Sequence, residues 1–172
     1  MVRYTKYWQA LTYMTIKHGE QKRKSNNLPY IIHPIRVAAI LRAFGFSEQI
    51  HEDLMIAALF HDLIEDTDTL PEDIRKNYNE KIMKIVNEVS KPRDENKEFW
   101  LQSFEIKSDE AKIIKMADRI DNLMDITQMM WTIEKKRQYI EHAKIIFKKC
   151  GNAHKELAKA LETLIKKLTD NL

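Results

Sequence analysis

The stretch Asp53-Leu54-Met55-Ile56-Ala57-Ala58-Leu59-Phe60-His61-Asp62-Leu63-Ile64-Glu65-Asp66-Thr67 decides the fold. It is apolar without interruption from Leu54 to Phe60, rich in alanine, and has no turn signals beside it. A buried helix suits such a run better than a strand does. That helix delivers His61 and Asp62 at its end. With helical spacing, His61 then shares a face with Glu65, and Asp62 shares one with Glu65 and with Asp66. Thr67-Asp68-Thr69 breaks the pattern, and Pro71-Glu72-Asp73 starts a short new helix.

Helical periodicity continues on both sides. A first helix is predicted from about Tyr4 to His18, stopped by Gly19. The polar stretch from Glu20 to Ile32 reads as a loop. His33-Pro34 opens a helix in which proline sits near the first turn, where its missing N–H costs nothing. That helix runs through Val37, Ala38, Ile40 and Leu41 to about Phe44, and Gly45 ends it. Asn79 to Val89 is amphipathic, with Ile82, Ile85, Val86 and Val89 on one face. Lys91 to Lys97 is a charged linker, and no element is assigned between it and Asp109. A helix from about Asp109 to Met130 buries Ile113, Ile114, Met116, Ala117, Ile120 and Leu123. Two more follow, Ile133–Lys149 and His154–Thr169. The expected class is all-α, a compact orthogonal helical bundle forming one domain over residues 1–172.

Composition agrees with an ordered helical protein: 44% hydrophobic and 32% charged residues, with 3 Gly and 4 Pro in 172. No apolar run approaches membrane-spanning length, and the N-terminus lacks the apolar core of a signal peptide. The single cysteine, Cys150, excludes an internal disulfide and fits a reducing, cytoplasmic setting. Charge is unevenly spread. Residues 1–46 carry 8 Lys plus Arg against 1 Asp plus Glu, residues 47–132 carry 11 against 20, and residues 133–172 carry 10 against 5. The segments therefore stand at +7, −9 and +5. An acidic middle between basic ends can fold into a metal centre rimmed by positive charge, which suits a phosphorylated small molecule. No recognised nucleic-acid motif accompanies the charge, so nucleic-acid binding is a distant reading.

Two further residues complete a chemical set with His61-Asp62. One is His33 in Tyr30-Ile31-Ile32-His33-Pro34, the other Asp118 in Ala117-Asp118-Arg119. Two imidazoles and two carboxylates make a mixed nitrogen and oxygen donor set for one divalent metal. Imidazole suits borderline transition metals, and carboxylate suits harder ions such as manganese. A metal beside spare carboxylates is the minimum equipment for hydrolysis. His18, His51, His142 and His154 are given no ligand role.

These parts resemble the RelA/SpoT-type hydrolases of the HD superfamily of metal-dependent phosphohydrolases. Lys22-Arg23-Lys24-Ser25 with Pro29-Tyr30-Ile31-Ile32-His33-Pro34 resembles their first motif, and His61-Asp62-Leu63-Ile64-Glu65-Asp66-Thr67 matches the second. Lys115-Met116-Ala117-Asp118-Arg119-Ile120-Asp121-Asn122-Leu123 resembles the third. The short chain, without room for synthetase and regulatory domains, is similar to the stand-alone small alarmone hydrolases. The resemblance implies an HD-type fold, with His33, His61, Asp62 and Asp118 as ligands of one manganese ion and Glu65 and Asp66 as the catalytic acidic pair. It implies Arg23 stacked on the nucleobase, Lys24 and Ser25 facing phosphates or ribose, Asn122 on the ribose and Tyr139 near the sugar and phosphate end. Lys136 and Arg137 are further candidates for phosphate.

The activity implied is manganese-dependent removal of the 3′-pyrophosphate of ppGpp or pppGpp, giving GDP or GTP and pyrophosphate. One alternative is an HD phosphohydrolase of another nucleotide, ppApp or NADPH. Another is a non-catalytic nucleotide-sensing or antitoxin protein, against which the intact Glu65–Asp66 pair counts. Two features depart from the family pattern. The loop after Arg23 lacks the usual glycine and is one residue longer. Asp121 adds a negative charge beside Asn122, where it either repels phosphate or points to solvent.

Overall fold

In a computed structural model, residues 6–25 and 27–171 are described. The expected positions Tyr4 and Asn26 lie outside them. The described residues form ten α-helices and one 3-10 helix, with one isolated antiparallel bridge, Lys22 to Pro29, and no strand. The class is all-α. No helix among the described residues is long and apolar enough to cross a membrane.

The helix α1 (Lys6–His18) buries Tyr7, Ala10, Met14 and His18, residues three or four apart, against α3. Gly19 ends it with φ +51, a conformation that glycine adopts without steric cost. The loop that follows closes on itself: Arg23 N donates to Leu28 O at 2.8 Å, and Tyr30 N to Gln21 O at 2.7 Å. These bonds fix Arg23 at the loop's inner edge. α2 (Ile32–Ala43) begins one residue earlier than predicted, with Pro34 in its first turn, and Gly45 follows it at φ +90.

The decisive stretch is α3 (Glu52–Phe60), in which every side chain from Leu54 to Phe60 is buried. It does not continue as one helix. His61 caps it, Asp62 sits at φ −106 and ψ −3, and a separate four-residue α4 (Leu63–Asp66) follows. α5 (Pro71–Asn77) and α6 (Glu80–Val89) follow, the latter capped by the Asn79 side chain, which accepts from Ile82 N. The face of α6 is as expected, with Ile82, Ile85, Val86 and Val89 buried.

The segment given no element holds α7 (Lys97–Gln102) and a 3-10 turn over Ser103–Ile106. They bury Trp100, Leu101 and Phe104. Six residues are too few to display a helical period, so the element is legible only from packing.

The central helix is α8 (Asp109–Met124), which packs against α2, α3, α6, α9 and α10. Its apolar stripe is the predicted one, but Lys112, Lys115, Asp118, Arg119 and Asp121 are buried as well. It ends at Met124 rather than Met130. Leu123, Ile126 and Met129, each buried, continue a three-residue apolar spacing through successive turns, Ile126 N to Leu123 O and Met129 N to Ile126 O. That spacing imitates a helix in the sequence. The Asp125 carboxylate meanwhile binds Arg23 and Arg36. α9 (Ile133–Cys150) and α10 (Lys155–Asn171) close the bundle on the far side of α8.

Candidate metal centre and its two cavities

The start of α2, the end of α3 and the middle of α8 converge on one point. Nε2 of His33 and of His61 are 3.1 Å apart. Asp118 Oδ1 lies 3.3 Å from His33 Nε2 and 4.0 Å from His61 Nε2. Asp62 Oδ2 lies 3.0 Å from His61 Nε2 and 3.5 Å from His33 Nε2. Donors about 2.1 Å from one ion stand about 3.0 Å apart at a right angle and about 4.2 Å apart across it. The observed spacings span that range, and His33, His61 and Asp118 form the compact triad among the described residues.

The hydrogen bonds behind these donors fix what they present. His61 Nδ1 lies 2.8 Å from Ala58 O, which can only accept, so Nδ1 carries the proton and Nε2 the lone pair. His33 Nδ1 donates to Asp121 Oδ2 at 2.6 Å, with the same consequence. Tyr30 OH donates to Asp62 Oδ2 at 2.5 Å. Lys115 Nζ and Asn122 Nδ2 hold the two oxygens of Asp118, at 2.8 Å and 2.5 Å. Each of the four donors thus has a partner behind it, the usual support of a metal ligand.

Two lone pairs and two carboxylates facing one another need a cation between them. The titration of the groups says the same. Burial opposes charge on His33, yet hydrogen bonds to Asp118, Asp121 and Asp62 together raise its pKa well above the usual imidazole range. His61 is also raised: burial opposes it, and Asp62 outweighs burial. Burial would raise Asp118, but Lys115 and the two imidazoles hold it far below the usual carboxylate range. The clustered carboxylates therefore favour positive charge at this point, to which Lys115 contributes through Asp118.

Two cavities adjoin this point. One, of about 210 Å³, contains His33, Asp62, Asp118 and Glu65, with Lys97, Lys115 and Arg119 on its walls. Glu65 Oε1 accepts from Lys91 N at 2.7 Å, which aims the carboxylate, and burial raises its pKa. Burial lowers the pKa of Lys97, and the neighbouring charges of Arg119 and Lys115 lower it further. The Arg119 guanidinium lies 4.0 Å over the Tyr139 ring, and its Nε has no protein partner. The walls therefore concentrate cationic side chains, with Lys115 among them already paired with Asp118.

The other cavity, of about 380 Å³, is lined by Arg23, Lys24, Ser25, Asp66, Met129 and Trp131, among others. Tyr30, Asn122 and Tyr139 line both cavities and stand where the two adjoin. Asp66 thus faces a different space from Glu65, and its pKa is raised, first by burial and then by Asp62.

Arg23 is buried, and its Nη2 lies 3.0 Å from Asp125 Oδ2 and 3.3 Å from Asp121 Oδ2. Its Nε lacks a protein partner. Ser25 Oγ donates to Asp125 Oδ2 at 3.3 Å, and Lys24 is exposed at the rim. Lys136 Nζ is engaged with Thr127 O.

Asp121 follows neither expectation set for it. It is fully buried and binds His33, Arg23 and Arg36, so it neither faces phosphate nor reaches solvent. Sequence reasoning also passed over Tyr30, Arg36, Lys97, Lys115 and Arg119 as individual site residues. The four-residue spacing of Asp121 and Asp125 on one helix was the available signal, since two buried carboxylates one turn apart require counter-charges.

The comparisons with known proteins fit this geometry. Residues 10–155 match the model of an HD domain family, and the chain belongs to that family. Its relatives within it are RelA/SpoT-type hydrolases. It is 36% identical over 147 residues to the guanosine-3′,5′-bis(diphosphate) 3′-pyrophosphohydrolase MESH1 of Drosophila melanogaster, covering 81% of each chain. It is 31% identical over 167 residues to the human protein of the same name, covering 92% of each. A solved structure described as a metazoan ortholog of SpoT that hydrolyzes ppGpp matches with a TM-score of 0.87. That match has 30% identity and covers 97% of both chains.

Proposed function

We propose that this chain is a manganese-dependent pyrophosphohydrolase of guanosine alarmones, a single HD domain over residues 1–172 acting in the cytoplasm. It removes the 3′-pyrophosphate of ppGpp or pppGpp and releases GDP or GTP. The observation that carries the reading is one cavity lined by three of the four metal-type donors, His33, Asp62 and Asp118, by the raised carboxylate of Glu65 and by cationic side chains, beside a second cavity lined by Arg23. The names of the relatives support it.

His33, His61, Asp62 and Asp118 would hold the ion. Two imidazoles with two carboxylates suit manganese better than magnesium. A divalent ion in such a site supplies Lewis acidity toward a phosphoryl oxygen and lowers the pKa of water. Lys97, Lys115 and Arg119 neutralise the pyrophosphate in a partly desolvated space, where such contacts strengthen as charge develops on the leaving oxygen. Glu65, aimed by Lys91 N, takes the proton of the attacking water. Asp66, on the nucleoside side with Tyr30, returns a proton toward the ribose oxygen. Asn122 and Tyr139, where the cavities adjoin, grip the ribose and its phosphate end. Arg23 stacks on the base, with its head held by Asp121 and Asp125. Lys24 and Ser25 complete the rim.

The test is product identification. Protein with manganese is incubated with ppGpp, ppApp, NADPH and deoxynucleoside triphosphates, and the products are separated by chromatography. GDP and pyrophosphate from ppGpp are expected. Orthophosphate from NADPH with ppGpp left intact would overturn the alarmone assignment and keep the HD site.

A further inference from the structure

We propose that Asp121 is a positioning residue shared by the metal centre and the base-side cavity, setting the metal affinity of His33 and the pose of Arg23 together. The proposal rests on reading His33 as a metal ligand. Its observation is the division of one fully buried carboxylate among three partners. Asp121 Oδ2 accepts from His33 Nδ1 at 2.6 Å and lies 3.3 Å from Arg23 Nη2. Asp121 Oδ1 lies 2.5 Å from Arg36 Nε, an ion pair without the alignment of a hydrogen bond. The metal-side imidazole and the base-side guanidinium therefore draw on the same oxygen atom.

Charge compensation alone would explain a buried aspartate between two arginines. Asp125, one turn further along α8, shows what that looks like: it binds Arg23 Nη2 at 3.0 Å and Arg36 Nη1 at 3.2 Å. Asp121 differs from it by the bond to His33. A carboxylate accepting from Nδ1–H fixes the imidazole tautomer, orients the ring and makes Nε2 a stronger donor to a cation. The same carboxylate gives Arg23 Nη2 a second anionic contact beside Asp125, so the head of the side chain is held from two positions rather than one.

The pair of residues supplies its own control. Asp121→Asn keeps the shape but removes the charge. Asp125→Asn removes charge from the arginines and leaves the His33 bond in place. Manganese affinity of the metal-free protein is measured by calorimetry, and guanosine affinity by the same method. Guanosine carries no phosphate that would touch the metal. Asp121→Asn should weaken manganese binding about tenfold to a hundredfold, the usual cost of losing such a partner. It should weaken guanosine binding too. Asp125→Asn should weaken guanosine and leave manganese affinity within about threefold, since only the former depends on arginine placement.

The proposal is overturned if Asp121→Asn binds manganese as the parent does. Should that variant fail to fold, nitrogen-15 spectra of the parent protein decide, because metal-free His33 must carry its proton on Nδ1. A proton on Nε2 with a bare Nδ1 overturns the proposal. His33→Ala separates the two possible failures. If it abolishes manganese binding while Asp121→Asn is silent, only the role of Asp121 falls. If both are silent, the reading of the metal centre falls with it.

Discussion

Glu65 and Asp66 are adjacent in the chain, yet their carboxylates open into different cavities, Glu65 beside the metal donors and Asp66 beside Arg23. Both lie on the short α4, where successive side chains point about 100° apart. The proposed function gives the two acids separate duties, which substitution tests. Glu65→Gln should retain metal and lose about a hundredfold or more in kcat, the range of general acid–base work. Asp66→Asn should also retain metal and lose turnover, with a larger share of its effect in KM because it faces the nucleoside. Near-normal rates in both variants would refute the catalytic role of the pair.

The donor cluster predicts the effect of removing a ligand. His61→Ala or Asp62→Ala should abolish metal content and turnover together, read by elemental analysis of dialysed protein. Full occupancy in the double variant would refute the ligand assignment. A chelator should remove activity, and manganese should restore it better than magnesium, because imidazole donors suit the former.

Arg23 tests the base-side cavity. Arg23→Ala should act mainly on KM. Arg23→Lys should not rescue it, since an ammonium offers no planar face. The contribution of exposed Lys24 should instead fade as salt rises, the behaviour of a screened charge. Steady-state kinetics at two ionic strengths separate the two residues.

Cys150 is buried in the bundle, and burial pushes its thiol up to about 12. The reactive thiolate is then absent at pH 8, where the folded protein should be inert to a disulfide reagent. In denaturant the same thiol should react at once. Rapid labelling of the folded protein would contradict this packing.

Phe60 tests the core that positions the site. It is fully buried at the end of α3, with its ring edge-on to Tyr13 at 5.6 Å and to Tyr78 at 4.8 Å. Phe60→Ala should cost about 3–5 kcal/mol in urea unfolding, the usual price of such a cavity. Because His61 follows directly, metal affinity should fall as well. A loss under about 1 kcal/mol would show that the site collapses around the gap.

The all-α class, the faces of α6 and α8, and the four residues His33, His61, Asp62 and Asp118 that converge at one point were legible in the sequence. Periodicity and local motifs encode these, since each depends on residues a few positions apart. Periodicity misjudged the end of α8, because buried turns at Ile126 and Met129 repeat a helical spacing. It passed over α7, which is too short to show a period. Only the tertiary structure decided that Glu65 and Asp66 part company, that Lys97, Lys115 and Arg119 share one wall, and that Asp121 turns inward to His33. Those facts arise where separate elements meet, so they depend on how the helices pack, α2 against α8 above all. The orientation of a charged side chain is set by the partners that packing brings to it, and for Asp121 those partners come from positions 23, 33 and 36, far from it along the chain.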